Sequence, residues 1–524
     1  MFNSSPYCGY TTHTGLNIPS FSAILALLGL AFTPAFGRYA FGDDYLVFWG
    51  DGMAEHNRFL ISLGRPLLIP FFKVYSLIIT TLADANQIRL AAIGILAIAA
   101  WLLWRWLLRW GEPRGRALCL TLVCFALPPF QVMAAWLLCT PYAVACILTA
   151  TAAWTLDAAT FRRTGLSRTM AGLIGFVCMS MALLIHQQTA MFYWFFLAVP
   201  IAMGRWPVPD DNKKNGCPWL GPMACLVGVP LMAIPAHLVL YKGLTVLLHI
   251  QNDARAVAIT QPNVLLDIIL NKLRWFAGEP FQAILNLWNI SPTVWYAWLI
   301  GLAALTGALL PASPLTGSAA TLNLPLRSSP IILRLPALLL LMSLSYFPIL
   351  CTPLQYTRYV NNAGIGCILV LLLYRLATEL TNQLARHLSR PSRHMVGRIL
   401  DLLLAFSAGI ALLAAQQNIQ KRLNLPRSME MAYLISRLAA AGPQTQDITV
   451  VQDQTFRFQG ELCRYDEYNC YASHAYWAVP TMVRQAVREA GGLDAQEKRV
   501  NILTPNIEPP PATIVIDMNN INFF

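Results

Sequence analysis

The residues best suited to chemistry in this chain stand together near its start. Arg38-Tyr39-Ala40-Phe41-Gly42-Asp43-Asp44-Tyr45 is followed by Asp51, then Glu55-His56-Asn57-Arg58, then Ser62-Leu63-Gly64-Arg65-Pro66. Adjacent carboxylates repel one another, which costs stability unless a cation, a substrate hydroxyl or a proton-transfer role offsets it. A carboxylate in a partly dry cleft has its pKa raised and can act as a general base toward a sugar hydroxyl. Asp43 and Asp44 are therefore the candidate catalytic pair, and His56 is a candidate relay beside them. Glu279, in Phe276-Ala277-Gly278-Glu279-Pro280, is a reserve acid. A divalent metal is compatible with the Asp43-Asp44 pair, but no further ligand cluster demands one. Arg58, Arg65 and Arg358, with Lys73, Lys272 and Arg274, are candidate cations, Gln187 and Gln188 offer amides, and Tyr359, Tyr356, Trp275 and Trp288 offer rings. Each has a plainer reading: acids paired with Arg38, Arg58 and Arg65, snorkelling cations, a helix cap, or an interfacial aromatic belt.

The elements that must position these residues follow from composition. The chain has 524 residues, 56% of them hydrophobic and only 12% charged, and its mean hydropathy is +0.51. A soluble domain carries about 25% charged residues, so a water-soluble globule and a disordered chain are both excluded. The bilayer is the remaining solvent, and the fold class expected is an all-α polytopic membrane protein. The net charge of +12 fits cytoplasmic loops better than nucleic-acid binding. The cysteines lie mostly in apolar runs without zinc-type spacing.

Apolar runs at 18–36, 88–110, 117–136, 141–156, 169–185, 189–203, 219–248, 293–310, 331–350, 360–376 and 399–415 make about eleven spans of bilayer length. The stretch 61–82, broken by Arg65, Pro66, Pro70 and Lys73, reads as interfacial or re-entrant. Basic residues gather in the even loops: Arg105, Arg109, Arg114 and Arg116; Arg162, Arg163 and Arg168; Arg205, Lys213 and Lys214; Arg327 and Arg334; Arg386, Arg390, Arg393 and Arg398. The short alternate turns 128–131 and 186–188 contain no Lys or Arg. The positive-inside rule then puts the N-terminus in the cytoplasm and the C-terminus outside.

A membrane domain over 1–416 would thus carry two large outer loops, at 37–88 and 249–292. Residues 417–524 change character: 429–440 and 476–490 have helical periodicity, while 448–452, 500–503 and 513–517 read as strands. A small extracytoplasmic α/β domain is expected there. Its Cys463 and Cys470 could close a local disulfide in an oxidising compartment, with two free thiols as the alternative.

A cytoplasmic N-terminus, one helix and then Asp43-Asp44 in a long outer loop resembles the GT-C superfamily of polytopic glycosyltransferases. Ser62-Leu63-Gly64-Arg65, leading into an amphipathic stretch, is similar to the Gtr-type O-antigen glucosyltransferase family of bacteria. His186-Gln187-Gln188 resembles that family's Tyr-Gln-type element with His in place of Tyr. Pro353, Arg358 and Tyr359 resemble a late outer Pro/Arg element, and the tail resembles a small terminal domain. The resemblance implies transfer of a sugar, glucose by family likeness, from a polyprenyl-phosphate donor to an acceptor glycan at the outer face of a bacterial inner membrane. It implies an Asp base in the first loop and a cationic clamp for the donor phosphate among Arg58, Arg65, Lys73, Lys272, Arg274 and Arg358, with Arg65 and Arg358 favoured because guanidinium binds phosphate in bidentate fashion. It implies sugar contacts from Gln187 and Gln188 and from the rings of Tyr359, Tyr356, Trp275 and Trp288.

Two rivals share the polytopic architecture. A flippase or transporter should hold ionisable residues at the midplane, whereas these spans keep them at their ends. An O-antigen polymerase or ligase would rely on arginine-rich outer loops rather than an early acid pair. A non-enzymatic scaffold leaves the acids of the first loop unexplained. The topology predicts that a reporter fused after Phe524 is exported; a cytoplasmic reporter would overturn both the orientation and the chemistry that depends on it.

Overall fold

A computed structural model describes residues 18–50, 52–161, 168–204, 224–251, 265–288, 295–310, 331–350, 358–441, 447–451, 472–474, 476–491, 499–503 and 514–518. Asp51, Arg162, Arg163, Arg205, Lys213, Lys214, Arg327, Pro353, Tyr356, Cys463 and Cys470 lie outside the described residues, as does the side chain of Glu279. The architecture is helical with one small sheet. Among the described residues six helices are long and apolar enough to cross a bilayer: Ile18–Ala35, Ala85–Arg109, Leu137–Ala158, Cys225–Leu247, Tyr359–Arg386 and Pro391–Ala440. A seventh span results if Arg114–Phe125 and Pro128–Ala135, bent by 64°, are counted together. The bend falls at Pro128-Pro129, where the ring removes an N–H and clashes with the preceding turn.

The other expected spans fold as shorter apolar helices, Thr169–Ile185, Ala297–Leu309 and Arg334–Leu350, or as a broken one. In that last case α10 (Gln187–Ala190) and α11 (Tyr193–Ala202) take the place of a single helix over 189–203. The stretch 61–82 is not a span: it divides between α3 (Met53–Ser62) and α4 (Leu68–Ile78), around a turn at Gly64.

The two ends of the bundle differ in chemistry. At one end α1 (Ile18–Phe32) runs into α2 (Gly42–Phe48), and α5 (Ala85–Arg109) begins beside it: the Gly37 N–H donates to Asn86 Oδ1 at 2.9 Å. α5 is about 37 Å long, enough to cross the hydrocarbon core. At its far end sit the Arg109–Asp157 ion pair, the Tyr374–Glu112 hydrogen bond and Arg116 Nε, 2.6 Å from Asp401 Oδ1. Arg109 and Arg116, two of the cations assigned to even loops, thus lie opposite the first loop.

Arg89, one turn into α5, is fully buried and organises the near end. Its Nη2 donates to the Tyr39 carbonyl at 2.6 Å, Nη1 to Gly37 O and Asn86 Oδ1 at 3.1 Å, and Nε to Ala135 O at 3.0 Å. Its guanidinium also lies 4.0 Å from the Tyr39 ring centroid. Carbonyls where a helix gives way to loop need donors from outside the helix, and Arg89 supplies them here.

The last long helix, α18 (Arg390–Asn418), does not end with the apolar run 399–415. It passes through a π turn at Ile419–Asn424 directly into α19 (Leu425–Ala441), so there is no linker at 416–417. Asn424 Nδ2 donates from this turn to Pro34 O at 2.7 Å and Phe36 O at 3.0 Å, fastening the rod to the end of α1. Beyond it β1 (Asp447–Val451), β2 (Arg499–Leu503) and β3 (Ile514–Asp517) form a parallel sheet in the order β2-β1-β3. The sheet is joined by α20 (Val479–Glu489), which packs on α19 and β2. The terminal unit therefore sits at the first-loop end.

Replacing Arg89 by methionine leaves three backbone carbonyls without their donor in a dry site. The expected loss is at least about 3 kcal/mol, read as a lower thermal midpoint in detergent. A midpoint within 1 °C of the parent would show that Arg89 is dispensable.

Candidate functional site

Asp43 and Asp44 occupy the first turn of α2, where the helix dipole favours carboxylates. They are neighbours on a helix, so they point about 100° apart, and their surroundings differ accordingly. Asp44 is fully buried. Its Oδ2 accepts the Phe41 N–H at 3.0 Å, capping the helix, and its Oδ1 accepts the Leu138 N–H at 3.2 Å, pinning α2 to the turn Leu137–Cys139. Burial pushes its carboxyl up to about 7, against the opposing effects of those N–H bonds and of the Arg89 charge. Asp43 is only half-buried, and its Oδ1 accepts the indole N–H of Trp477 at 3.1 Å.

The two carboxylates therefore serve different N–H donors and do not converge. Among the described residues no group of three or more His, Cys, Asp or Glu is assembled for a metal. Both Asp44 oxygens accept backbone N–H groups, so an ion shared by Asp43 and Asp44 would compete with those bonds.

His56, on α3, stands within electrostatic reach of Asp43; burial holds its imidazole below the usual range, with the Asp43 charge opposing. Its ring lies 5.8 Å from those of Phe59 and Phe72, and its Nε2 is buried without a hydrogen bond. Arg58, on the same helix, is exposed, as is Glu55.

The Gly-Arg element has a local reason. Gly64 adopts φ +72°, a left-handed conformation, and a Cβ there would come 3.0 Å from Gln187 Nε2 and 3.1 Å from His237 Nε2. The turn lets the Leu63 and Gly64 carbonyls accept Gln187 Nε2 at 2.7 and 3.2 Å. Arg65 Nε then donates to Gln187 Oε1 at 3.0 Å. Arg65 also hydrogen-bonds the Tyr142 side chain.

The Tyr142 ring stacks on His186, with centroids 3.9 Å apart and planes 13° from parallel. His186 caps α10: its Nδ1 accepts the Thr189 N–H at 3.2 Å. Burial, and then the charges of Arg65 and Arg358, hold this imidazole well below the usual histidine range. Both guanidiniums thus act on one stacked pair, although they are far apart in sequence.

Arg358 precedes the turn Tyr359–Asn362, which packs on α7 (Pro128–Ala135). Its guanidinium lies 5.4 Å from the Trp136 ring centroid, and Trp136 stacks on Phe41 at 4.8 Å. Phe41 is the residue whose N–H Asp44 accepts, so aromatic contact links the acid helix to the arginine pair. No family profile and no curated protein sequence matches the chain.

The remaining expected residues are placed less openly. Gln188 Nε2 donates to Ser345 O at 2.5 Å and to Asn361 O at 3.0 Å, so its amide ties helices together inside the protein. Tyr359 is buried. Glu279 begins the short helix Glu279–Leu285, which packs near Tyr359–Asn362. Arg89, Trp136, Tyr142 and Trp477 were not singled out in the sequence. The only signal for Arg89 was a charge at the flank of an apolar run; Trp136 and Tyr142 carried none.

Asp44 has a folded-state pKa above its unfolded value of 3.8, so the folded chain binds the extra proton between about pH 4 and 7. Its contribution to stability is therefore present below that window and is lost as pH rises through it. Asp44→Asn should flatten the fall in thermal midpoint between pH 4.5 and 7, a slope amounting to roughly 4 kcal/mol at most in the parent. Parallel pH profiles for the two proteins would show that Asp44 does not titrate there.

Proposed function

We propose that the chain is an integral membrane glycosyltransferase of the GT-C type that moves a sugar from a polyprenyl-phosphate donor to an extracytoplasmic acceptor glycan. The observation that carries this reading is the meeting of Arg65 and Arg358 at the stacked Tyr142–His186 pair, on the bundle end that also presents Asp43. A single lipid-borne phosphate at the membrane surface suits two guanidiniums that act on one stacked pair, because each can bind phosphate through a planar fork. The likeness of the first loop to Gtr-type O-antigen glucosyltransferases supports glucose as the sugar and lipopolysaccharide O-antigen as the acceptor. Eleven spans, an inner-membrane location and a cytoplasmic N-terminus belong to the same reading, supported by the collection of arginines at the far end of the bundle.

In this mechanism Asp43 is the general base and Asp44 positions it. The acceptor hydroxyl gives its proton to Asp43 as its oxygen bonds to the anomeric carbon. The bond from that carbon to the phosphate oxygen breaks, and its electron pair leaves with the lipid phosphate, stabilised by Arg65 and Arg358. One displacement inverts the anomeric configuration, and phosphate is a competent leaving group without a second acid. Asp44, enclosed and bonded through both oxygens, has no access to an acceptor and instead fixes the helix that carries Asp43. Arg58, exposed on α3, is a peripheral contact for the donor.

Purified protein, polyprenyl-phosphate glucose and O-antigen glycan provide the test. Asp43→Asn should lower kcat by about 10² to 10⁴. Arg65→Lys and Arg358→Lys should each cost about tenfold or more in kcat/KM, because a point charge does not replace a fork. The new linkage, read by NMR, should be inverted relative to the donor. Full transfer by a folded Asp43→Asn protein would remove the base assignment, and a retained configuration would exclude single displacement.

A further inference from the structure

Asp43 receives its indole hydrogen bond from the far end of the chain. Trp477 lies in the turn Tyr476–Ala478, which packs on α2 together with α20 and the turn Ala472–His474. The neighbouring turn Ala472–His474 is fastened by the buried Glu430 of α19, which accepts the Ala472 N–H at 2.9 Å and the Ser473 N–H at 3.0 Å. A second fastening lies nearby, where the Leu82 N–H donates to Glu489 Oε1 at 2.9 Å. Yet Trp477 itself is 50% exposed. Its N–H bonds one Asp43 oxygen, and on the α3 side of Asp43 lies the buried Nε2 of His56, which has no hydrogen bond among the described residues.

We propose that the terminal α/β unit supplies the acceptor side of the site, with the face of Trp477 stacking on a pyranose of the acceptor glycan while its N–H orients Asp43. The inference rests on the glycosyltransferase reading and adds to it which element recognises the acceptor. An indole offers a broad apolar face at small conformational cost, and the C–H groups on one face of a pyranose complement it. The N–H uses one carboxylate oxygen of Asp43; among the described residues the other has no hydrogen bond and stands ready for the acceptor hydroxyl. Donor and acceptor then approach from different elements: Arg65 and Arg358 from the helix bundle, Trp477 from the terminal unit.

The test compares Trp477→Ala and Trp477→Phe in the full-length protein. Trp477→Ala should raise the acceptor KM about tenfold or more while leaving the donor KM within about twofold. Trp477→Phe, which keeps a ring but no N–H, should hold the acceptor KM within about threefold and lower kcat instead. Binding of O-antigen fragments without donor, measured by saturation-transfer NMR, separates this inference from the reading beneath it. Glycan binding that is lost in Trp477→Ala supports it even if the donor sugar proves to be different. An unchanged acceptor KM, or glycan binding equal to that of the parent, overturns it; absence of transfer by the parent itself would instead remove the underlying activity.

Discussion

The near end of this molecule depends on one buried cation. Arg89 stands where α1 has ended, α2 has not begun and α7 turns over, and its guanidinium gathers the carbonyls those three pieces of chain leave behind. An unpaired carbonyl in such a place costs more than an ordinary hydrogen bond contributes, so one five-donor fork does what several waters would do at an exposed loop. The ring of Tyr39 closes the remaining face of the guanidinium. Everything said of Asp43 and Asp44 presupposes this arrangement, because α2 starts only five residues beyond the first carbonyl that Arg89 holds, that of Gly37.

From that anchor the site is built by alternation between charge and ring. Phe41 lies under Arg427, 3.8 Å from its guanidinium carbon, and stacks on Trp136, which in turn lies beneath Arg358. Tyr142 and His186 stack on each other within reach of the charges of Arg65 and Arg358. The negative face of an aromatic ring attracts a cation, and repeated pairs of this kind run from the acid helix to the site proposed for the donor.

Much of this was legible in the sequence, for reasons that can be named. Apolar runs of bilayer length, the arginines between them and the β-branched segments at 448–452 and 513–517 each report a solvent or a pleat directly, and the helices and strands follow. Gly64-Arg65 was legible as an element because only glycine tolerates φ +72° there. What adjacency could not reveal was the division of labour between Asp43 and Asp44, since which of two neighbours faces inward depends on where α2 begins and on Leu138, a distant residue. Arg89 was hidden because one arginine beside an apolar run looks the same whether it snorkels or is buried. Trp136 and Tyr142 were hidden because an aromatic inside an apolar stretch matches its surroundings. The expected boundary at 416–417 misses the continuous helix because the composition changes there while the helical hydrogen bonding does not.

That continuous helix has a mechanical meaning. From Arg390 to Ala441 it makes a rod of about 75 Å, more than twice the hydrocarbon thickness, interrupted only by the wider turn at Ile419–Asn424. A rod transmits rotation. Each residue added or removed turns everything beyond it by about 100° and shifts it by about 1.5 Å along the axis. The π turn thus acts as a phase setting, the wide turn in the winding that fixes which face of α19 meets α20. Asn424, at its end, grips the exit of the first helix and locks that phase to the membrane frame. The terminal unit is in this sense indexed rather than tethered: its azimuth over the bilayer is written into the residue count of a single helix.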